Sequence, residues 1–266
     1  MLDRVQLKYE AKAITKNAKE SAYVFTLIYL AIGLVLDGID YLVSGSPQTE
    51  VYGYLADYMP EAAVYLRGTE PILHLPAPAV WFVSIVISLV TAVLGAGYIL
   101  YTMNVRKGLI TPYTTLFDGF LFAGKIILLE IVQYIFVFLW SLLFIIPGII
   151  AGYRYRFALY NLCENPEMGV MEALNMSKAQ TRGHKWELFV LDLSFLGWEL
   201  LCTLPMLIGF SLVFAFTRSA DTVLVPLILL SIPLSAGFFF LHPYEEAAWA
   251  IFYRDITAAP SDTEEI

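Results

Sequence analysis

The chain has 266 residues, 59% hydrophobic and only 15% charged, with a mean hydropathy of +0.68 and a formal net charge of −8. Soluble domains carry about a quarter charged residues, so this composition excludes an ordinary water-soluble enzyme domain. Acid collects in residues 50–70 and after Asp255, while base collects at the N-terminus and around 178–185, a distribution without the coherent basic face that nucleic acid requires.

Residues 3–20 place Arg4, Lys8, Lys12 and Lys16 at i,i+4 steps, beside a stripe of Leu7, Ala11, Ile14 and Ala18. The spacing predicts a basic amphipathic helix over 1–20. It either lies on an anionic cytoplasmic leaflet or serves as a solvated lead-in that enforces orientation. Apolar runs follow at 21–39, 80–103, 125–150, 186–216 and 222–241. Each is close to or above the roughly 20 residues that carry a helix across a bilayer. The first run carries Asp37 and Asp40 near its end, so no cleavable signal peptide is expected, although Val43-Ser44-Gly45 is a faint small-residue cleavage pattern.

The loop 44–78 is acidic and rich in Tyr (Tyr52, Tyr54, Tyr58, Tyr65), suited to the outer headgroup layer. Run 80–103 holds the small residues Ala92, Gly95, Ala96 and Gly97, which favour close helix packing, and leads to an inner loop with Arg106, Lys107 and Lys125. Stretch 125–166 has two readings. Two spans turning at Pro147-Gly148 return the basic segment Lys178, Arg182 and Lys185 to the inside, as the positive-inside tendency asks. A single long helix kinked at the proline is the alternative. Asn165-Pro166-Glu167 then reads as the start of an inner amphipathic helix over 165–183. Asn is its N-cap, Met168, Met171, Leu174 and Met176 its apolar side, and Gly183 its end.

Several of these segments together resemble a known family. They are Phe117-Asp118-Gly119-Phe120, the stretch from Leu139-Trp140 to Pro147-Gly148-Ile149-Ile150, Tyr153-x-Tyr155 and Glu164-Asn165-Pro166. With them come Glu172-Ala173-Leu174-x-x-Ser177, Gly183-His184-Lys185 and Leu191-Asp192-Leu193-Ser194-Phe195-Leu196-Gly197-Trp198. The family is the uncharacterised membrane family known as domain-of-unknown-function family 975, common in Gram-positive bacteria. The likeness is strong over 117–201. It is weaker at Leu7-Lys8-x-x-Ala11-Lys12, at Pro243-Tyr244 and at Phe252-Tyr253. The stretch 202–240 is longer than the family's usual final hairpin. A more distant similarity reaches the membrane domain of some glycerophosphodiester phosphodiesterases, whose catalytic barrel this chain lacks, so the resemblance implies no activity.

Ionisable residues at bilayer depth are expensive and mark function by default. Counting about 1.5 Å per residue puts Arg154 and Arg156 roughly 9–12 Å from the outer face, in one layer with Glu199, with Asp37 a little further out. Asp192 and Glu130 fall nearer the inner side. An arginine–Glu199 pair is expected, either as a register-fixing ion pair or as part of a polar path that Asp192 shares, since Asp192 and Glu199 are seven apart on one helix face. Arg154 and Arg156 point about 200° apart, so only one of them can serve a given partner.

Enzymatic readings find little support. His74, His184 and His242 have no metal-ligand spacing; His184 reads as an interfacial cap and His242 as a polar tip ending the last span. No nucleophile elbow, phosphate loop or dinucleotide fingerprint occurs. Cys163 and Cys202 offer neither a disulfide framework nor a metal site. The expectation is an all-α polytopic transmembrane bundle of about six spans. It forms a single domain over 21–256 with an acidic disordered tail over 257–266, sits in the plasma membrane and has a cytoplasmic N-terminus. It is expected to be non-enzymatic, to take no cofactor or metal, and to contact membrane lipid, a membrane partner or a second copy of itself. A transporter or channel component is the alternative, with a membrane-embedded lipid enzyme third.

Overall fold

The computed structural model describes residues 4–44, 73, 75–216 and 236–258. Most of the loop 44–78, the polar break 217–221, most of the run 222–241 and most of the acidic tail lie outside the described residues, as does His74. Their regular structure is all helical, with no strand among the described residues. In chain order the elements are α1 (Arg4–Asn17), α2 (Ala22–Ser44), α3 (Ala77–Arg106), a 3-10 helix (Tyr113–Phe122), α4 (Ala123–Leu143), α5 (Ile145–Tyr155), α6 (Ala158–Glu164), α7 (Val170–Gln180), α8 (Lys185–Phe216) and α9 (Ala236–Ala258).

Among the described residues, three stretches are long and apolar enough to cross a membrane: Ala22–Ser44, Ala77–Arg106 and Tyr113–Leu143. In none of them is more than 17% of the most apolar window buried inside the protein. Large side chains such as Trp81, Phe82, Leu121, Tyr134 and Leu142 stand outward. Exposed apolar surface on that scale is costly in water, and the three helices are compatible with a membrane protein.

The chain forms two compact units. One comprises Met1–Tyr29, Thr91–Gly197 and Phe240–Ile266; the other comprises Leu30–Val90 and Trp198–Phe239. In the second unit, Ser84 Oγ donates to Asp40 Oδ1 at 2.5 Å, tying α3 to α2. There too α9 passes so close to α8 that a Cβ on Gly237 would fall 2.6 Å from Cys202 Sγ.

The first unit holds the core. Phe157, Leu162, Leu174, Leu188, Leu191, Phe195, Trp249 and Phe252 are each less than 2% exposed. Helix α1 docks into this core through Leu7 and Ala11 and does not lie free on a surface. Thr15 Oγ1 lies 2.9 Å from Ala11 O and 3.4 Å from Pro243 O. Arg254 grips Glu10 with two N–H groups, one of them donating to Oε2 at 3.0 Å. Lys8, one of the supposed basic-face residues, is folded inward: its Nζ donates to Ser194 O at 3.3 Å and sits 4.4 Å above the Phe195 ring. The basic face is thus partly absorbed in protein contacts.

Stretch 125–166 folds as a hairpin. Phe144 is extended (φ −162°, ψ 155°), and α5 turns back along α4 from Ile145. The reversal comes three residues before Pro147 and not at Pro147-Gly148. Pro147 lies in the first turn of α5, where its missing N–H costs nothing. Gly148 is where the arms meet, and a Cβ there would fall 2.1 Å from Ser141 Oγ and 2.9 Å from Ser141 Cα. The continuous kinked helix does not form. After a break at Arg156-Phe157, α6 brings the chain back to the end where α4 begins. There Lys125 Nζ donates to Pro166 O at 2.5 Å, and Lys107 pairs with Glu164 at 2.6 Å.

The inner amphipathic helix is shorter than 165–183. Asn165, Pro166 and Glu167 form a turn in which Asn165 Oδ1 accepts from Glu167 N at 3.2 Å, and α7 begins only after Gly169. Asn165 caps its own turn, a local alternative that competes with helix. Gly169 N–H donates to Glu172 Oε2 at 3.4 Å. At the other end α7 stops at Gln180, three residues before Gly183, which takes a left-handed φ of 87° in the turn that follows. The apolar side is divided: Met168 and Leu174 are buried, whereas Met171 and Met176 are exposed. Helix α9 runs unbroken past His242, whose ring packs 4.9 Å from Tyr98 and 5.8 Å from Tyr29.

Candidate functional site

Helices α4, α5 and α8 enclose an open groove of about 420 Å³. Its polar lining is Glu130, Gln133 and Tyr134 from α4, Tyr153 from the last turn of α5, Arg156 just beyond it and Asp192 from α8. Sequence dictates this convergence. Glu130 and Gln133 are three apart, so they share a helix face within an otherwise apolar segment. Glu130 is seven residues into α4 and Asp192 seven into α8, which puts both carboxylates roughly 10 Å along their helices from the same end.

The contacts within the groove are few. Tyr153 OH donates to Asp192 Oδ2 at 2.7 Å, and the Tyr153 ring meets Phe189 edge-on at 6.3 Å. The Arg156 guanidinium stacks over Trp249 at 4.1 Å and forms no ion pair among the described residues. Trp249 Nε1 is buried with no hydrogen-bond partner. The groove thus presents two carboxylates, one guanidinium, an amide and phenols, with a single hydrogen bond recorded among their side chains. It can receive a polar group that offers both donors and acceptors.

The two arginines have different neighbours. Arg154 lies beside Lys178, Arg182 and Lys185, and Arg156 beside Glu130 and Asp192, all groups assigned to the inner half. The chain reverses at Phe144. Arg154 is therefore about 15 Å down the returning arm. Neither arginine has an ion pair among the described residues, Glu199 and Asp37 belong to the second unit, and the two arginines line different cavities.

Other expected residues have structural roles. Ser177, fully buried, holds the α5–α6 break: Phe157 N donates to its Oγ at 3.1 Å, and its hydroxyl donates to Arg154 O at 2.9 Å. Tyr155 is buried 5.8 Å from the Phe136 ring. His184 Nδ1 lies 2.9 Å from Glu187 Oε2. Ser194 supplies the carbonyl that anchors Lys8, and Tyr244 packs edge-on against Phe195 at 5.3 Å. Trp198 belongs to the second unit and is exposed. No three His, Cys, Asp or Glu side chains among the described residues are placed to hold a metal.

These interlocking positions fall within one matched segment. Residues 142–260, somewhat less than half of the chain, match the family described as protein of unknown function (DUF975). This segment is similar to the DUF975 family. It starts within the strongly resembling stretch and runs on through the extended 202–240 to the C-terminal motif; Phe117-Asp118-Gly119-Phe120 and the N-terminal motif lie before it. No curated protein and no solved structure matches the chain. Within the DUF975 segment, Gly148, Ser177, Gly183, Ser194 and Tyr244 build the hairpin, its break and the seat of α1, while Tyr153, Arg156 and Asp192 face the groove.

A buried polar network that the sequence reading missed also sits in this segment. Asn161, 1% exposed, donates to Ala173 O at 3.2 Å and to Gln180 Oε1 at 3.0 Å, and accepts from Gln180 Nε2 at 2.9 Å and Tyr253 OH at 3.0 Å. It joins α6, α7 and α9. The available signal was an asparagine flanked by apolar residues, Leu159-Tyr160-Asn161-Leu162, on a helix too short to tolerate it without partners.

Proposed function

We propose that this is a multi-pass membrane protein of about six spans, with both termini on the cytoplasmic side, that acts as a non-enzymatic interaction protein. Its lateral groove receives a polar group of a membrane lipid or of a partner helix. The observation that carries this reading is the convergence of Glu130, Gln133, Tyr153, Arg156 and Asp192 on one open groove, between helices of which α4 belongs to a span candidate. Facing hydrocarbon, each unsatisfied polar group costs several kcal/mol, so a groove of this composition is stable only when occupied. The cations Arg106, Lys107, Lys125, Lys178, Arg182, Lys185 and Arg254 lie on the segments assigned to the inside, which supports the orientation.

A photo-crosslinking residue at Gln133 or Val137, both lining the groove, tests the reading in intact cells. The expected product is a discrete protein or lipid adduct that disappears when Asp192→Asn and Tyr153→Phe are combined. Absence of any adduct at both positions, with an equivalent probe at exposed Leu121 giving the same background, would refute it.

A second reading, a component of a polar path for an ion or proton, is favoured by the pairing of Tyr153 with Asp192 on the face that Glu130 shares. Joint replacement of Glu130, Arg156 and Asp192 by apolar residues separates the two. A conducting path loses flux while the fold persists; a binding groove loses its adduct with flux unchanged.

A further inference from the structure

The C-terminal end of α5, helix α7 and the start of α8 frame another cavity, of about 540 Å³, lined by Arg154, Asn175, Lys178, Ala179, Arg182 and Lys185. Lys178 and Arg182 are four apart and project from one side of α7 and its terminal turn. Arg154 reaches the cavity from α5, held there because its carbonyl accepts from Ser177 Oγ and Thr181 Oγ1. Lys185 opens α8.

Four cations therefore converge on a space with no carboxylate in its lining. Among the described residues none of the four is in an ion pair. The nearest acids on the surrounding elements are already engaged: Glu172 accepts from Gly169 N, Glu187 faces His184, and Asp192 accepts from Tyr153. Arg154 Nε is buried without a hydrogen-bond partner, and the guanidinium lies 5.7 Å from the Trp140 ring. Burial, together with Arg154, Arg182 and Lys178, holds the Lys185 ammonium below its ordinary lysine value. Like charges gathered this closely without counter-charge repel one another, and the arrangement is relieved by a bound anion.

We propose that this pocket binds a phosphate-bearing anion, either the headgroup of an anionic phospholipid or a soluble phosphate ester. Two planar guanidinium forks, each presenting paired donors, beside two ammonium groups acting as point charges, suit a phosphate better than a carboxylate alone. The Asn175 amide adds a donor for a glycerol or sugar hydroxyl. Basic pockets between membrane helices on the cytoplasmic side are suited to such headgroups. Exposed Trp186, next to Lys185 in sequence, and exposed Met176 on α7 supply apolar surface for acyl chains. This site is separate from the groove and does not depend on what occupies it.

The test uses the purified full-length protein and two probes: phosphatidylglycerol in phosphatidylcholine nanodiscs, and inorganic pyrophosphate added to protein in a zwitterionic detergent. Lys178→Gln/Arg182→Gln changes two exposed side chains of the pocket. Lys12→Gln/Lys16→Gln removes the same charge from exposed positions of α1. For whichever probe binds, the pocket variant is expected to lose affinity by about thirtyfold, the loss of two surface cations' attraction. The α1 variant stays within about twofold of the wild type, the smaller change that distant charges cause through screened solvent. Binding of phosphatidylglycerol without pyrophosphate identifies a lipid source, and the reverse a soluble one. Failure of the wild type to bind either probe overturns the proposal, as does an equal loss in both double variants.

Discussion

Replacing Asn161 by leucine probes how the DUF975 segment is held together. The two side chains have similar volumes, so the change opens little cavity and acts through hydrogen bonding. Four bonds disappear: two donated by Asn161 and two accepted from Gln180 and Tyr253. Ala173 O keeps its helical role, and the half-buried Gln180 amide can turn towards water. The Tyr253 hydroxyl cannot, since that residue is 5% exposed, and it is left with the Gln180 side chain alone. Leaving the buried hydroxyl to compete for Gln180 costs up to about 1–3 kcal/mol, and loss of the other bonds about 1 kcal/mol, for a total near 2–4 kcal/mol at most. Tyr253→Phe alone removes one bond and leaves Asn161 Oδ1 with Gln180, so it costs about 1 kcal/mol. The double variant should be less destabilised than the sum of the two, by about 1 kcal/mol, because the stranded hydroxyl is gone. Equilibrium unfolding of purified protein in mixed micelles, followed by far-ultraviolet circular dichroism, reads all three. Asn161→Leu within about 0.5 kcal/mol of wild type, or strict additivity, would refute the reasoning.

Ser177→Ala strands Phe157 N–H at the α5–α6 break and is expected to destabilise the protein by about 1–3 kcal/mol in the same assay. Gly148→Ala, which forces α5 away from Ser141 Cα, is expected to cost about 1–3 kcal/mol. Ser141→Gly should recover part of that loss in thermal unfolding. The Arg254 hydrogen bond holds the Glu10 carboxyl below the ordinary glutamate value of 4.5. A depressed carboxylate pKa contributes stability above the unfolded value and loses it as pH falls through the folded value. Helix α1 should therefore stay docked near neutrality and loosen only as pH falls below the ordinary glutamate value. With side chains more than a third exposed, the clamp contributes no more than about 1 kcal/mol. Limited proteolysis between α1 and α2 across pH reads its release. Arg254→Gln should shift the onset upward, and an unchanged onset would count against the clamp.

Periodicity and length made much of the fold legible. The runs at 21–39 and 80–103 correspond closely to α2 and α3, and Gly183 takes a left-handed φ in the turn after α7, as its type suggests. Tertiary competition defeated the rest. Pro147-Gly148 looked like a turn, but a proline is equally at home in the first turn of a helix, and the reversal fell on Phe144, whose type carries no turn signal. Asn165 looked like a helix cap yet capped its own turn. Lys8 looked like a surface charge until Ser194 O and the Phe195 ring provided a seat, information that lies 186 residues away in sequence. For the groove, Arg156, Asp192 and Glu130 were visible as costly charges in apolar runs. What joined them was the hairpin register, which single-sequence counting misplaced by several residues.

The orientation of that hairpin is the central claim, because it sets the groove within the membrane and the four-cation pocket at its inner face. It is tested most directly by single cysteines at Ala179 and Ser219 in a background lacking Cys163 and Cys202, labelled in intact cells with a membrane-impermeant maleimide. Labelling at Ser219, with Ala179 reactive only after permeabilisation, is the predicted result. Labelling of Ala179 from outside would contradict it.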